Sequence, residues 1–140
     1  MEKGCQHYLF WQGLRITVSI FGKSKGHFLA EISVYPCGPE THRRNKPAFN
    51  GIRWDFVYDE DHERDQERAM CYMIWPEFLD ESGVAIGSKI PLVGTYRARM
   101  HIVSSEMVEK NFEKLRVGTK FYCSEGTMIT AKGTVTKLTV

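Results

Sequence analysis

An all-β fold, a barrel or a sandwich carrying one short helix, follows from three features of the sequence. Apolar residues recur with a period of two through most of the chain, one stretch recurs with the helical period, and glycine-containing turns separate the alternating runs. The 140 residues suffice for one domain with its own core, and 42% hydrophobic against 26% charged residues is a globular composition.

Taken in order, Leu14, Ile16, Val18 and Ile20 alternate with polar neighbours and predict a strand with one wet face. Phe28, Ala30, Ile32 and Val34 do the same, as do Ile52, Trp54, Phe56 and Tyr58. Trp54 therefore belongs to the core rather than to a stacking surface. The continuous run Met70 to Trp75 predicts a strand covered on both faces. From Tyr96 to Ile102 the apolar set alternates with Arg97, Arg99 and His101, a row of cationic side chains spaced about 7 Å apart on the solvent face. Such a row can follow a phosphate backbone or pair with acids of a neighbouring strand. Ser105 is an available N-cap for a helix in which Val108, Phe112 and Leu115 share a face, ended by Val117-Gly118. Lys120 to Cys123 and Ile129 to Leu138 supply the last two strands, and residues 1–26 form an extension with a strand able to pair with another chain.

Charge and cysteine usage exclude some classes. Nineteen Lys and Arg against seventeen Asp and Glu give a net +2, too balanced to mark a nucleic-acid binder by itself. The distribution is less even. Asp59 to Arg68 holds six acids and two bases and reads as a solvated loop, whereas Glu40 to Pro47 is a basic loop and the chain from Gly94 onward carries a local +4. Cys5, Cys37, Cys71 and Cys123 form no CxxC pair, so they are expected to be reduced and mostly buried thiols rather than zinc ligands. The start of the chain lacks a signal-peptide layout and no run is long enough to span a membrane, so the expectation is a cytoplasmic protein without a membrane partner. There is no phosphate-binding loop, serine elbow or HExxH pair, so neither an enzyme nor a nucleotide or metal cofactor is expected.

Two segments resemble a known family. Arg44-Asn45-Lys46-Pro47-Ala48-Phe49-Asn50-Gly51-Ile52-Arg53-Trp54-Asp55-Phe56, after the strand at Phe28, is similar to the R-H-T-P-F-F-N-G-Y-R-P-Q-F loop in the third domain of translation elongation factor Tu. Gly118 to Leu138, with Glu125-Gly126 and Gly133-Thr134-Val135-Thr136-Lys137, resembles the closing E-G…G-x-V-T-K hairpin of the same domain. The resemblance covers residues 27–138. It implies a single closed antiparallel β-barrel of that type, with the helix 106–116 as an insertion and no GTPase machinery. In that family the barrel meets the backbone of aminoacyl-tRNA and partner proteins. By position, Arg44 matches the basic residue that opens the loop, and Glu125 and Gly126 match the hairpin against the tRNA. Asp55 stands where the family has Gln, Asn45-Lys46 replace His-Thr, and Ser124 replaces an Arg.

The function expected from all of this is a non-catalytic binding module. A protein partner, translation-linked by the resemblance, comes first because the acids at Asp55 and in the 59–68 loop oppose a phosphate backbone. The alternative is tRNA or other RNA. The candidate contact residues are Arg43, Arg44, Lys46, Asp55, Arg97, Arg99, Glu125 and Gly126.

Overall fold

A computed structural model describes residues 7–11, 14–18, 26–38, 45–60 and 71–139. In chain order the elements are β1 (His7–Trp11), β2 (Leu14–Val18), β3 (Phe28–Val34), β4 (Trp54–Tyr58), β5 (Cys71–Leu79), β6 (Gly94–Ile102), α1 (Ser105–Phe112), β7 (Lys120–Glu125) and β8 (Met128–Leu138). Strands β3, β6, β5, β4, β7 and β8 close into a six-stranded antiparallel barrel, β8 returning to β3. Closure removes the open edges of the barrel sheet. The N-terminal extension holds two strands instead of one, and β1 pairs with β2 outside the barrel.

The alternation seen in the sequence becomes the inside and outside of this barrel. Phe28, Ala30, Ile32 and Val34 on β3 are buried, as are Trp54, Phe56 and Tyr58 on β4. A six-stranded barrel is narrow, so its lumen is filled by matching large rings with small neighbours. Phe56 stacks on Phe121 at 4.6 Å and on Tyr72 at 4.9 Å, while Phe28 stands edge-on to Phe56. Room for these rings comes from Ala30 opposite Ala98 and from Gly133 opposite Phe121. A Cβ at Gly133 would come within 2.4 Å of the Phe121 ring, so only glycine fits there. Each fully buried Phe of this kind contributes about 1.5–3 kcal/mol by leaving water.

Three expectations need correction. The 70–75 run is not covered on both faces: Cys71 and Met73 are exposed and only the later part of β5, from Pro76 to Leu79, is buried throughout. The thiols are not mostly buried, because Cys37 and Cys71 are exposed and only Cys123 is enclosed. Cys5 lies outside the described residues. The helix starts after Ser104 and stops at Phe112 instead of running to Val117. Its buried residue is polar: Asn111 accepts from Tyr58 Oη at 2.6 Å and donates to Met107 O. The chain then turns inward, with Lys114 and Leu115 N–H both donating to Asn111 O, so that Leu115 is wholly buried beyond the helix end.

Another polar residue replaces a missing strand. β4 pairs with β5 only up to Trp54–Ile74, and beyond it that side of β5 meets the returning 84–86 segment, where Leu79 bridges Ala85 and Ile86 N donates to Phe78 O. Asn50 completes the pairing there: its Oδ1 accepts from Phe78 N at 2.9 Å and its Nδ2 donates to Phe78 O and Ile86 O. Pro76, which has no N–H, has the same parity as Phe78, so its missing donor falls on the side where β4 has ended. The turn that presents Asn50 closes with Ile52 N donating to Phe49 O, and Gly51 supplies its φ of 103°.

Candidate interaction surface

Strand direction brings the 45–53 loop, the β5–β6 loop (80–93) and the Gly126 turn to one end of the barrel. Helix α1, His27 and the end of β6 lie at the other end.

The candidate residues do not form one cluster. Arg43 and Arg44 lie outside the described residues. Lys46 is exposed in the loop before β4. Asp55 is half-buried on the outer face, between Met73 on β5 and Ser124 on β7. Glu125 and Gly126 end β7 beside it, with Gly126 exposed in a two-residue turn at φ 62°. Arg97 and Arg99 stand on β6, across β5 from that group.

Three of these charges are engaged within the fold. The Glu125 carboxylate accepts from Trp54 Nε1 at 2.8 Å, which satisfies the indole donor of a buried core residue. Arg97 Nη2 donates to the carbonyls of Glu81 at 3.0 Å and Asp80 at 3.4 Å. Arg99 donates to Gly83 O at 3.3 Å and, at 3.1 Å, to Glu77 Oε1, whose side chain is 0% exposed. The two guanidiniums therefore clamp the 80–83 turn onto the barrel wall. His101, expected on the solvent face with them, is buried, its ring 6.0 Å from that of His27. Burial, then the neighbouring His27 and Arg99 charges, lower its pKa to about 3. His27, whose Nδ1 accepts from Ile102 N, is also lowered by burial. Burial pushes the Cys123 thiol up, which disfavours its thiolate.

Among the residues exposed at this end are three aliphatic ones. Val84, Ile90 and Val93 on the β5–β6 loop are 55%, 52% and 55% exposed. Behind them a cleft of about 400 Å³ opens between β6 and the turn, with Leu79, Ile86 and Tyr96 among its lining and Glu31, Asp80 and Glu81 at its rim. A second, polar cleft of about 330 Å³ on the β3–β8–β7 wall includes Lys120, Tyr122 and Lys132, with Glu31 and Asp59. Among the described residues no group of three His, Cys, Asp or Glu gathers as metal ligands do, and no helix is long and apolar enough to cross a membrane.

Sequence reasoning missed Asn50, Glu77, Asn111 and the His27–His101 pair. Signals existed for Glu77, an isolated acid inside the run Trp75-Pro76-Glu77-Phe78-Leu79, and for Asn50, which stands in the Pro47 to Arg53 motif. The chain matches no protein-family profile, and no curated protein matches it.

Proposed function

We propose that this chain is a non-catalytic recognition module whose ligand is a protein. The observation that carries the reading is the β5–β6 loop: polar tethers from Arg97, Arg99 and Asn50 hold it in place while Val84, Ile90 and Val93 face outward. Exposed aliphatic residues on an anchored loop are the ordinary make-up of a protein contact. The barrel belongs, in this proposal, to the type of the third domain of elongation factor Tu. Support comes from the Asn50-Gly51 and Glu125-Gly126 motifs, which occupy two loops at one end of a closed barrel. The same resemblance is the basis for a translation-linked partner, one that meets elongation factor Tu itself. Two exposed unpaired thiols, Cys37 and Cys71, suit a reducing compartment such as the cytoplasm.

RNA is the second reading, and the Lys120–Tyr122–Lys132 cleft favours it, since ammonium groups beside an aromatic ring suit a nucleic-acid strand. Salt separates the two. The protein reading expects no binding to bulk tRNA at about 50 mM salt, and partner capture that is lost in Val84→Asp/Val93→Asp but little changed at about 200 mM. Binding to tRNA that weakens about tenfold or more between those salts, and is lost in Lys120→Ala/Lys132→Ala, refutes it.

A further inference from the structure

The cleft beside β6 has a chemical bias that narrows the partner, if the chain is the protein-recognition module proposed above. Its rim carries the carboxylates of Glu31, Asp80 and Glu81 against the one guanidinium of Arg97. That guanidinium is turned to the Asp80 and Glu81 carbonyls. One oxygen of Asp80 is held by the Ser82 and Val84 N–H groups. Glu31 and Glu81 are exposed, and no described cation forms an ion pair with either. The rim therefore presents net negative charge around an apolar floor of Leu79, Ile86 and Tyr96.

An apolar floor under an anionic rim complements a side chain with an aliphatic stem and a cationic head. The flanks add a second requirement. Val84 adjoins the rim through the Asp80 N to Val84 O bond of 2.8 Å, and Val93 adjoins the floor through its bonds to Tyr96 Oη at 3.1 and 2.9 Å. Both valines stand more than half exposed. The walls are preorganised by the Arg97, Arg99 and Asn50 tethers, which limits the ordering cost of binding. At about 400 Å³ the cleft lies in the range of ligand sites.

We propose that this cleft receives a lysine or arginine side chain from an extended segment of the partner protein, with aliphatic residues next to that cation covering Val84 and Val93. A nucleic-acid backbone is excluded from the same place by the three carboxylates.

The test is selection of a random displayed peptide library on the purified chain, followed by titration of the synthesised top peptide by anisotropy. Enriched peptides are expected to carry Lys or Arg with an aliphatic residue within two positions. Replacing that cation by Glu, or using Glu31→Lys/Glu81→Lys or Val93→Asp protein, is expected to weaken binding about tenfold or more. Met73→Lys, on the exposed outer face of β5, is expected to leave affinity within about twofold. A thermal melt confirms that each variant is folded. Peptides lacking a cation, or insensitive to the rim and valine variants, overturn the cleft assignment while leaving the module reading intact. Failure to enrich any peptide overturns the assignment too. Salt-sensitive tRNA binding beside that failure overturns the module reading as well.

Discussion

Arg99→Ala should destabilise this protein far more than Arg97→Ala, although the sequence places the two in identical positions of one alternating strand. Glu77 is completely buried and Arg99 is 31% exposed, so the pair sits at the boundary of the protein interior. Removing one member of a buried pair costs about 3–5 kcal/mol, because the remaining charge keeps its desolvation penalty. Partial hydration around Arg99 reduces this to about 2 kcal/mol, and the lost bond to Gly83 O restores about 1. The expected total is about 3 kcal/mol. For a chain of this length that corresponds to a fall of about 12 °C in Tm. Arg97 is exposed and bonds only carbonyls, so its removal should cost about 0.5–1 kcal/mol. Urea unfolding of both variants with the wild type measures the difference. Adding Glu77→Gln to Arg99→Ala removes the buried charge and should recover about 1–2 kcal/mol. An Arg99→Ala protein within about 0.5 kcal/mol of wild type, or a double variant no more stable than the single, refutes the reasoning.

Three further outcomes follow from the same structure. Gly133→Ala forces a methyl into the Phe121 ring, which is already stacked on Phe56, and should cost about 2–3 kcal/mol with a loss of near-ultraviolet dichroism; unchanged stability would mean the ring is elsewhere. Asn50→Ala strips the Phe78 N–H of its partner and takes one donor from the Phe78 and Ile86 carbonyls, of which Phe78 O keeps Ile86 N, and should cost about 2–3 kcal/mol, with fast amide exchange at Phe78 as its local signature. The lowered pKa of His101 makes stability pH-dependent in one direction. Above about pH 6.5 both states are neutral at this residue. Below that the unfolded state takes up a proton that the folded state refuses until about pH 3, so stability falls with pH. His101 alone then accounts for a loss of roughly 2–3 kcal/mol by pH 4.5, absent from His101→Asn when the two denaturation series are compared.

The period-two pattern reached the barrel strands because each has one face in the lumen, and Phe28, Phe56 and Ala98 are buried where the alternation puts them. Polarity misled wherever a polar side chain completed the backbone. Asn50 stands in for a strand and Asn111 caps a buried phenol, and both roles depend on residues 28 and 53 positions away. No local window contains that information. The Met70–Trp75 run misled for the opposite reason, since Cys71 and Met73 are apolar yet face out. In the candidate surface, the sequence marked Arg97 and Arg99 as solvent-facing cations, which is what alternation can show. Arg99 does pair with an acid of the neighbouring strand, Glu77, as the row allowed, but the other partners are the Asp80, Glu81 and Gly83 carbonyls, backbone groups that no composition reveals.

These partners give the two arginines separate consequences for binding. The loop they clamp has three aliphatic side chains outside and would gain by folding them against the barrel wall. Arg97 opposes that collapse at little cost to global stability, since its bonds are at the surface. Arg97→Ala should therefore leave Tm within about 4 °C of wild type while weakening the selected peptide about tenfold, through faster dissociation from a loop that must be reordered at each encounter. Its melt and its binding curve are then uncoupled, which is the mark of a positioning residue. Arg97→Lys keeps the charge but loses the fork that spans two carbonyls, so it should restore only part of the affinity. If Arg97→Ala binds as tightly as wild type, the loop holds its shape without the clamp. The exposed valines would then owe their orientation to Arg99, Asn50, the Ala48–Leu92 bridge and their own bonds to Asp80 and Tyr96.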